Sequence, residues 1–178
     1  FIGSALCREI VRQKATRVIL VEQCELALYN VLRELEGLNC GVHVTPVLSS
    51  YGNVRVMQAV LKAYRPDRVY HVAAYKHVPF VYRNLFLVLD NNVHAFVQFV
   101  GLLEQIGTPS LVVVSSDKAV RPTNIMGCTK RLEEYIAQTS TVKDVKCVRF
   151  GNVLWSTGSV LPLFYEQIME GKALTLTH

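Results

Sequence analysis

Five short runs rich in β-branched residues recur along the chain: RVILV at 17–21, VHVTPV at 42–47, DRVYHV at 67–72, SLVVVS at 110–115 and VKCVRF at 145–150. Amphipathic stretches of helical length separate them. ELALYNVLRELE repeats its apolar residues at Leu28, Val31, Leu32 and Leu35, the i, i+3, i+4, i+7 spacing of a helix lying on a core. VRVMQAVLKAY and TKRLEEYIAQ follow the same period. Strand and helix in alternation require crossovers, and right-handed crossovers build a parallel sheet with helices on both faces. The pattern predicts a doubly wound α/β fold of Rossmann type. LVVV, apolar without interruption, reads as a strand buried on both faces.

The 178 residues, 51% of them hydrophobic, suit one compact domain spanning 1–178. Phe1 as first residue, and ALTLTH at the end reading as a strand, predict a chain truncated at both ends. The net charge is +5, yet Lys and Arg alternate with Glu along the helices. With no run of five like charges and no RNA-binding aromatic motif, nucleic acid is not an expected partner. Cys7, Cys24, Cys40, Cys128 and Cys147 make no C-x-x-C or metal-type spacing, so buried free thiols in a reducing cytoplasm are expected and no metal. Cys128, with no His near it in sequence, reads as structural. FLVLDNNVHAFVQFVGLL is interrupted by Asp90, Asn91, Asn92 and His94, short of the roughly 18 continuous apolar residues of a membrane span. A cytoplasmic domain is expected, with a membrane reached only through an N-terminal region of a longer parent.

The opening FIGSALCREIVRQ places a glycine before an amphipathic helix, and RVILVE is the next strand. Gly3 fits the third glycine of a dinucleotide-binding turn, where the helix N-terminus faces a pyrophosphate; a plain helix-start glycine fits equally. Glu22 ends its strand about twenty residues later, where an acid accepts hydrogen bonds from ribose hydroxyls. An exposed strand-end acid is the alternative. A carboxylate there favours NAD over NADP, although Arg8 or Arg12 could reverse the preference.

HVAAYKHVPFV, NNVHAF, VVVSSDKAVRPTNIMGCTKR and RFGNVLWSTGSVLPLF, taken in order, resemble the polysaccharide-biosynthesis nucleotide-sugar 4,6-dehydratases of the extended short-chain dehydrogenase/reductase superfamily. The likeness runs from Gly3 to His178. It implies an NAD(P)-binding Rossmann-type domain with a substrate-binding part beginning at about 151–178, a nucleotide-sugar substrate, typically UDP-N-acetylglucosamine, and a homo-oligomer as a possible assembly. It also implies a reaction: oxidation at sugar C4, loss of water across C5 and C6, and return of hydride to C6.

By this resemblance Asp117 protonates the departing 6-hydroxyl and Lys118 takes the C5 proton, which a 4-keto group acidifies; a desolvated lysine is a competent base. Ser116 orients the sugar hydroxyl. Met126 and Lys130 lie i, i+4 on one helix face. Most of the superfamily has tyrosine at the Met126 position, and a thioether carries no titratable proton. Large-form members of this family also carry methionine there, so the O4 proton is expected to reach Lys130, directly or through water, while Lys130 also holds the nicotinamide ribose. Ile2, Gly3, Glu22, Ala73, Ala74, Asn92 and Ser115 are the implied cofactor contacts, and Lys76 and Asn152 the substrate contacts. His77 is expected to be structural.

The chain departs from the family pattern at Asn53, where Asp near the adenine is usual, and at Trp155, Ala95 and Phe96, where smaller or polar residues are usual. Trp155 and Phe96 are expected to narrow the substrate cleft. Tyr82 and Leu85 alter the loop after KHVP. Two other functions share these features: a nucleotide-sugar 4-epimerase, which needs no C5 base, and a catalytically silent binding relative.

Overall fold

The computed structural model describes residues 1–38, 41–156 and 159–175. Helix α1 (Ile2–Arg12) leads to β1 (Arg17–Glu22), α2 (Glu25–Gly37), β2 (His43–Leu48), α3 (Val54–Tyr64) and β3 (Arg68–His71). Next come two short helices, α4 (Val78–Arg83) and α5 (Leu85–Leu89), a π-helical turn (Asp90–His94) and α6 (Ala95–Ile106). Then β4 (Ser110–Ser116), a 3-10 turn (Asp117–Ala119), α7 (Ile125–Gln138), β5 (Asp144–Phe150) and α8 (Val160–Met169) complete the order. All five strands foreseen from the sequence form, and α3 covers the foreseen stretch residue for residue. Residues 173–175 carry no regular structure, and the remainder of the expected terminal strand, 176–178, lies outside the described residues.

Every strand pairing is parallel, as crossover connections demand. The ladders form two groups, β1 with β2, and β3 with β4 with β5. Each group has its own apolar centre. Val11 of α1, Val18 and Leu20 of β1, and Leu28 and Leu35 of α2 bury together over the first pair. Met57 and Leu61 of α3, five residues of α6, and Leu111 and Val113 of β4 form the second, larger centre. Leu111 and Val113 are fully buried, but Val112 and Val114 on the opposite face are only half-buried, and α8 buries none of its residues. The LVVV run is thus fully packed on one face only.

Local chemistry sets the ends of the elements that matter for the site. Asn53 caps α3 by accepting from Val56 N at 3.3 Å, and Asn124 caps α7 by accepting from Gly127 N at 2.8 Å. Gly107 ends α6 in the left-handed conformation, φ 73°. The run Leu85–Ile106 is long and apolar enough to cross a membrane by length and composition. Its Phe96, Phe99, Val100, Leu102 and Leu103 are instead committed to the larger core.

Candidate active site

The carboxyl ends of the parallel strands gather the residues singled out from the sequence. In doubly wound sheets this edge is where ligands bind. Ser116 ends β4, and its hydroxyl caps the 3-10 turn, accepting from Lys118 N at 3.3 Å and donating to Asp117 Oδ1 at 2.9 Å. Lys118 Nζ closes on Asp117 Oδ1 at 3.0 Å, with both side chains partly open to solvent. The Lys118 hydrogen bond, helped by Ser116, holds the Asp117 carboxyl below its usual range. Asp117 is therefore an anion in this arrangement, and a proton-donating role requires Lys118 to move off it.

Helix α7 packs its N-terminus directly on this turn. A Cβ on Gly127 would collide with the Lys118 carbonyl, so only glycine allows the approach. One turn further, Lys130 is buried and pairs with Glu133 at 2.5 Å. His71, at the end of β3, sits 3.8 Å from the same Glu133 oxygen. Burial, then the nearby Lys130, pushes His71 down to about 3, so the imidazole is neutral. Burial drives Glu133 the other way, up to about 7, against the pull of Lys130. Tyr51 covers the group, its ring edge-on to His71 at 4.7 Å and its hydroxyl donated to the Asn91 carbonyl.

Glu134, the next residue, is equally buried but fully partnered. It accepts from Ser115 Oγ at 2.6 Å, Arg149 Nε and Nη2 at 2.8 and 2.7 Å, and Arg131 Nη1 at 2.9 Å. Ser115 and Arg149 are register partners on β4 and β5, so one carboxylate ties α7 to both strands. The Arg149 hydrogen bonds, reinforced by Ser115 and Arg131, hold it at about 2.

Several expected site residues have other occupations. Met126 lies in an apolar cluster with Val81 and Val88, which makes it a packing residue. Ser115 is committed to Glu134. Asn92, fully buried in the π turn, exchanges hydrogen bonds with Tyr75 N and O at 2.9 and 3.1 Å and donates to Thr129 at 3.2 Å. It fixes the loop that carries Ala73, Ala74 and Lys76. Phe96 is not at a cleft: it is fully buried beneath His71, ring centroids 4.5 Å apart. Trp155 is exposed, at φ 58°, against Tyr165. Lys76, His77 and Asn152 are exposed, and His77 precedes α4 without capping it through its side chain.

A cleft of about 470 Å³ opens beside this edge, lined by Gln23, Ser50, Asn53, Tyr75, Asp90 and Asn91 among others. Glu22 ends β1 one residue before Gln23 of the cleft wall, and one of its carboxylate oxygens accepts from Cys24 N at 2.8 Å. Gly3 lies in the first turn of α1 beside Val72, with Ile2 just before it; an added Cβ would meet Val72 only at ordinary contact, 3.9 Å. Arg8 is engaged with Glu34 at 2.9 Å. Among the described residues no cluster of His, Cys, Asp or Glu could hold a metal; Cys7, Cys24, Cys128 and Cys147 are free thiols, but Cys24 and Cys128 are exposed and not buried as expected, and Cys40 lies outside the described residues.

Sequence reading missed the buried group of His71, Glu133, Tyr51 and Glu134. The one available signal was that Lys130 and Glu133 stand i, i+3, which sequence alone does not distinguish from a solvated surface pair.

Parallel strands, crossover helices and a polar site at the strand ends define a Rossmann-type α/β protein whose fold resembles that of the extended short-chain dehydrogenase/reductases. A family model described as polysaccharide biosynthesis protein matches residues 1–178, and the chain belongs to that family. EpsC of Bacillus subtilis, named as a probable polysaccharide biosynthesis protein, is 38% identical over 99% of this chain and 30% of its own. A UDP-glucose 4-epimerase of Rickettsia canadensis is 39% identical over 74% of this chain and 41% of its own. The solved structure of Pen from Bacillus thuringiensis superposes with a TM-score of 0.88 at 27% identity, over 99% of this chain and 55% of that one. Other solved structures of this fold, at 16 to 20% identity, hold NAD and include a dTDP-glucose 4,6-dehydratase and a UDP-glucose 4-epimerase. The chain spans about a third of the length of EpsC.

Proposed function

We propose that the protein carrying this chain is an NAD(P)-dependent nucleotide-sugar 4,6-dehydratase of surface polysaccharide synthesis, acting in the cytoplasm on UDP-N-acetylglucosamine. The observation that carries this reading is the Asp117–Lys118 pair at the end of β4, set against the helix that bears Lys130. Dehydration needs an acid at the sugar's O6 and a base at C5, and adjacent residues on one tight turn serve neighbouring carbons.

The described residues fit a dinucleotide. Glu22 stands at the tip of β1, next in sequence to Gln23 of the cleft wall, small residues Ala73 and Ala74 follow β3, and Ile2 and Gly3 open α1, whose N-terminus favours phosphate. The bound cofactor supplies hydride acceptance from C4 and donation to C6. Lys130 receives the O4 proton and faces the ribose, Ser116 orients the sugar hydroxyl, and Lys76 and Asn152 contact the nucleotide-sugar. Asn92 and Ser115 serve by holding the loop after β3 and the end of β4. When substrate enters and displaces water, Lys118 passes one proton to Asp117 and moves off it, which leaves a neutral acid to protonate the departing 6-hydroxyl and a free amine to take the C5 proton.

A second reading, a 4-epimerase, is favoured by the Rickettsia relative. Incubating the full-length protein with UDP-N-acetylglucosamine and following products by proton NMR separates the two. A 6-methyl signal, lost by about 100-fold or more in Asp117→Asn and Lys118→Met, supports dehydration. Inverted C4 with C6 intact supports the epimerase, and no reaction with bound cofactor overturns both for this sugar.

A further inference from the structure

Glu133 and Glu134 are adjacent, both buried, and treated in opposite ways. Glu134 has donors from three side chains. Glu133 has one hydrogen-bond partner, Lys130, while its Oε1 and the facing His71 Nε2 have none. Burying a carboxylate so sparsely partnered is costly, and an apolar side chain would fill the position at lower cost. The same helix face offers no titratable hydroxyl one turn before Lys130: Met126 is a thioether, packed among Val81 and Val88.

We infer that Glu133 is the proton store behind Lys130, acting through the lysine and not on the substrate. This rests on the reading that the sugar is oxidised at C4, a step dehydratase and epimerase share. As the O4–H bond breaks, its proton passes to Lys130 Nζ, and Lys130 Nζ gives one of its own protons to Glu133 Oε2. The lysine ends with the charge it began with, and Glu133 ends neutral. In dehydration the stored proton leaves to solvent before the next turnover, balancing the proton delivered to the departing hydroxyl; in epimerisation it returns to O4.

The surroundings suit a carboxyl that changes charge near neutrality. Burial raises Glu133 to about 7. The titratable and charged groups acting on this pocket are Lys130 and Glu134 from α7, His71 from β3, Tyr51 from the loop before α3, Cys147 from β5 with its neighbour Arg149, and, through Tyr51, Asp90 of the π turn and Tyr75 of the loop after β3. His71 is held neutral and Tyr51 is pushed up by burial and Glu133, so neither competes for the proton near pH 7.

The test is infrared spectroscopy of the full-length protein between pH 5 and 9, approximately the span about Glu133's raised range. A protonated-carboxyl band that titrates near neutrality, and that Glu133→Gln and Glu133→Asp remove and shift respectively, supports the store. Lys130→Met should keep that band to higher pH. A carboxyl that stays ionised throughout, or titrates in the ordinary carboxylate range, overturns it. In turnover, Glu133→Gln should lower kcat about 100-fold with KM unchanged and abolish the loss of rate below neutrality, with partial recovery in Glu133→Asp. An unchanged rate and pH profile also overturns it. If the wild type leaves UDP-N-acetylglucosamine untouched while the band titrates as stated, the proposed function fails for this sugar and the store's role in O4 proton transfer falls with it; an active wild type whose rate and pH profile Glu133→Gln leaves unchanged overturns the store alone.

Discussion

Gly127 presses against the backbone carbonyl of Lys118 so closely that a Cβ would put the carbonyl carbon at 3.1 Å and its oxygen nearer still. The obstacle is backbone, which cannot rotate away. Gly127→Ala must therefore push α7 and the Asp117–Lys118 turn apart, at a cost of about 1–3 kcal/mol. Urea denaturation is expected to show that loss. Turnover should fall further than stability alone explains, because the pair and Lys130 shift relative to one another.

Glu134 ties α7 to β4 and β5. Glu134→Gln removes the charge facing Arg131 and Arg149, whose side chains are 31% and 38% exposed and so recover part of their hydration. The expected loss is at the low end of a broken buried pair, about 3 kcal/mol, read as a lower denaturation midpoint. Ser115→Ala, which removes one neutral-donor hydrogen bond, should cost about 1 kcal/mol.

Stability should depend on pH with signs set by three buried groups. His71, depressed to about 3, is neutral when folded, so the unfolded chain takes up the extra proton and stability falls as pH drops below about 6.5. Glu133, raised to about 7, has the opposite sign: its contribution is full below 4.5 and is lost as pH rises through about 7. Glu134, lowered to about 2, contributes above 4.5 and loses that as pH falls. Between 4.5 and 6.5 the first two oppose each other, and below 4.5 His71 and Glu134 act together. Denaturation midpoints from pH 3 to 8, roughly the span of these shifts, should turn steeply down below 4.5, and His71→Gln should make that fall shallower.

Trp155 holds φ 58° on an exposed loop, a conformation that costs a side-chain-bearing residue about 1 kcal/mol. Trp155→Gly should raise stability by roughly 0.5 kcal/mol once glycine's greater unfolded freedom is counted. A loss instead would show that the ring's contact with Tyr165 at 6.0 Å outweighs the strain.

The strands and long helices were legible because their signals are local, β-branched runs and a 3.6-residue period in hydrophobicity, whereas the caps at Asn53 and Asn124 emerge only from the structure. The Asp117–Lys118 turn and Lys130 were legible as a motif. Phe96 was misplaced at a cleft because a large apolar side chain reads alike facing a ligand or a core, and only packing beneath His71 separates the two. Asn92 and Ser115 were identified as important residues, but their partners, Tyr75 and Glu134, lie 17 and 19 positions away, beyond any local pattern.

The sequence by itself determined the α/β alternation, the parallel pairing that follows from crossovers, and the order in which Asp117, Lys118 and Lys130 follow the strand β4. Tertiary structure alone decided the charge states. Glu133 and Glu134 are neighbours of the same chemical type in one helix, yet one is pushed up to about 7 and the other held at about 2. The difference is the number of donors that β4, β5 and α7 bring to each, because desolvation raises a carboxyl and converging hydrogen bonds lower it.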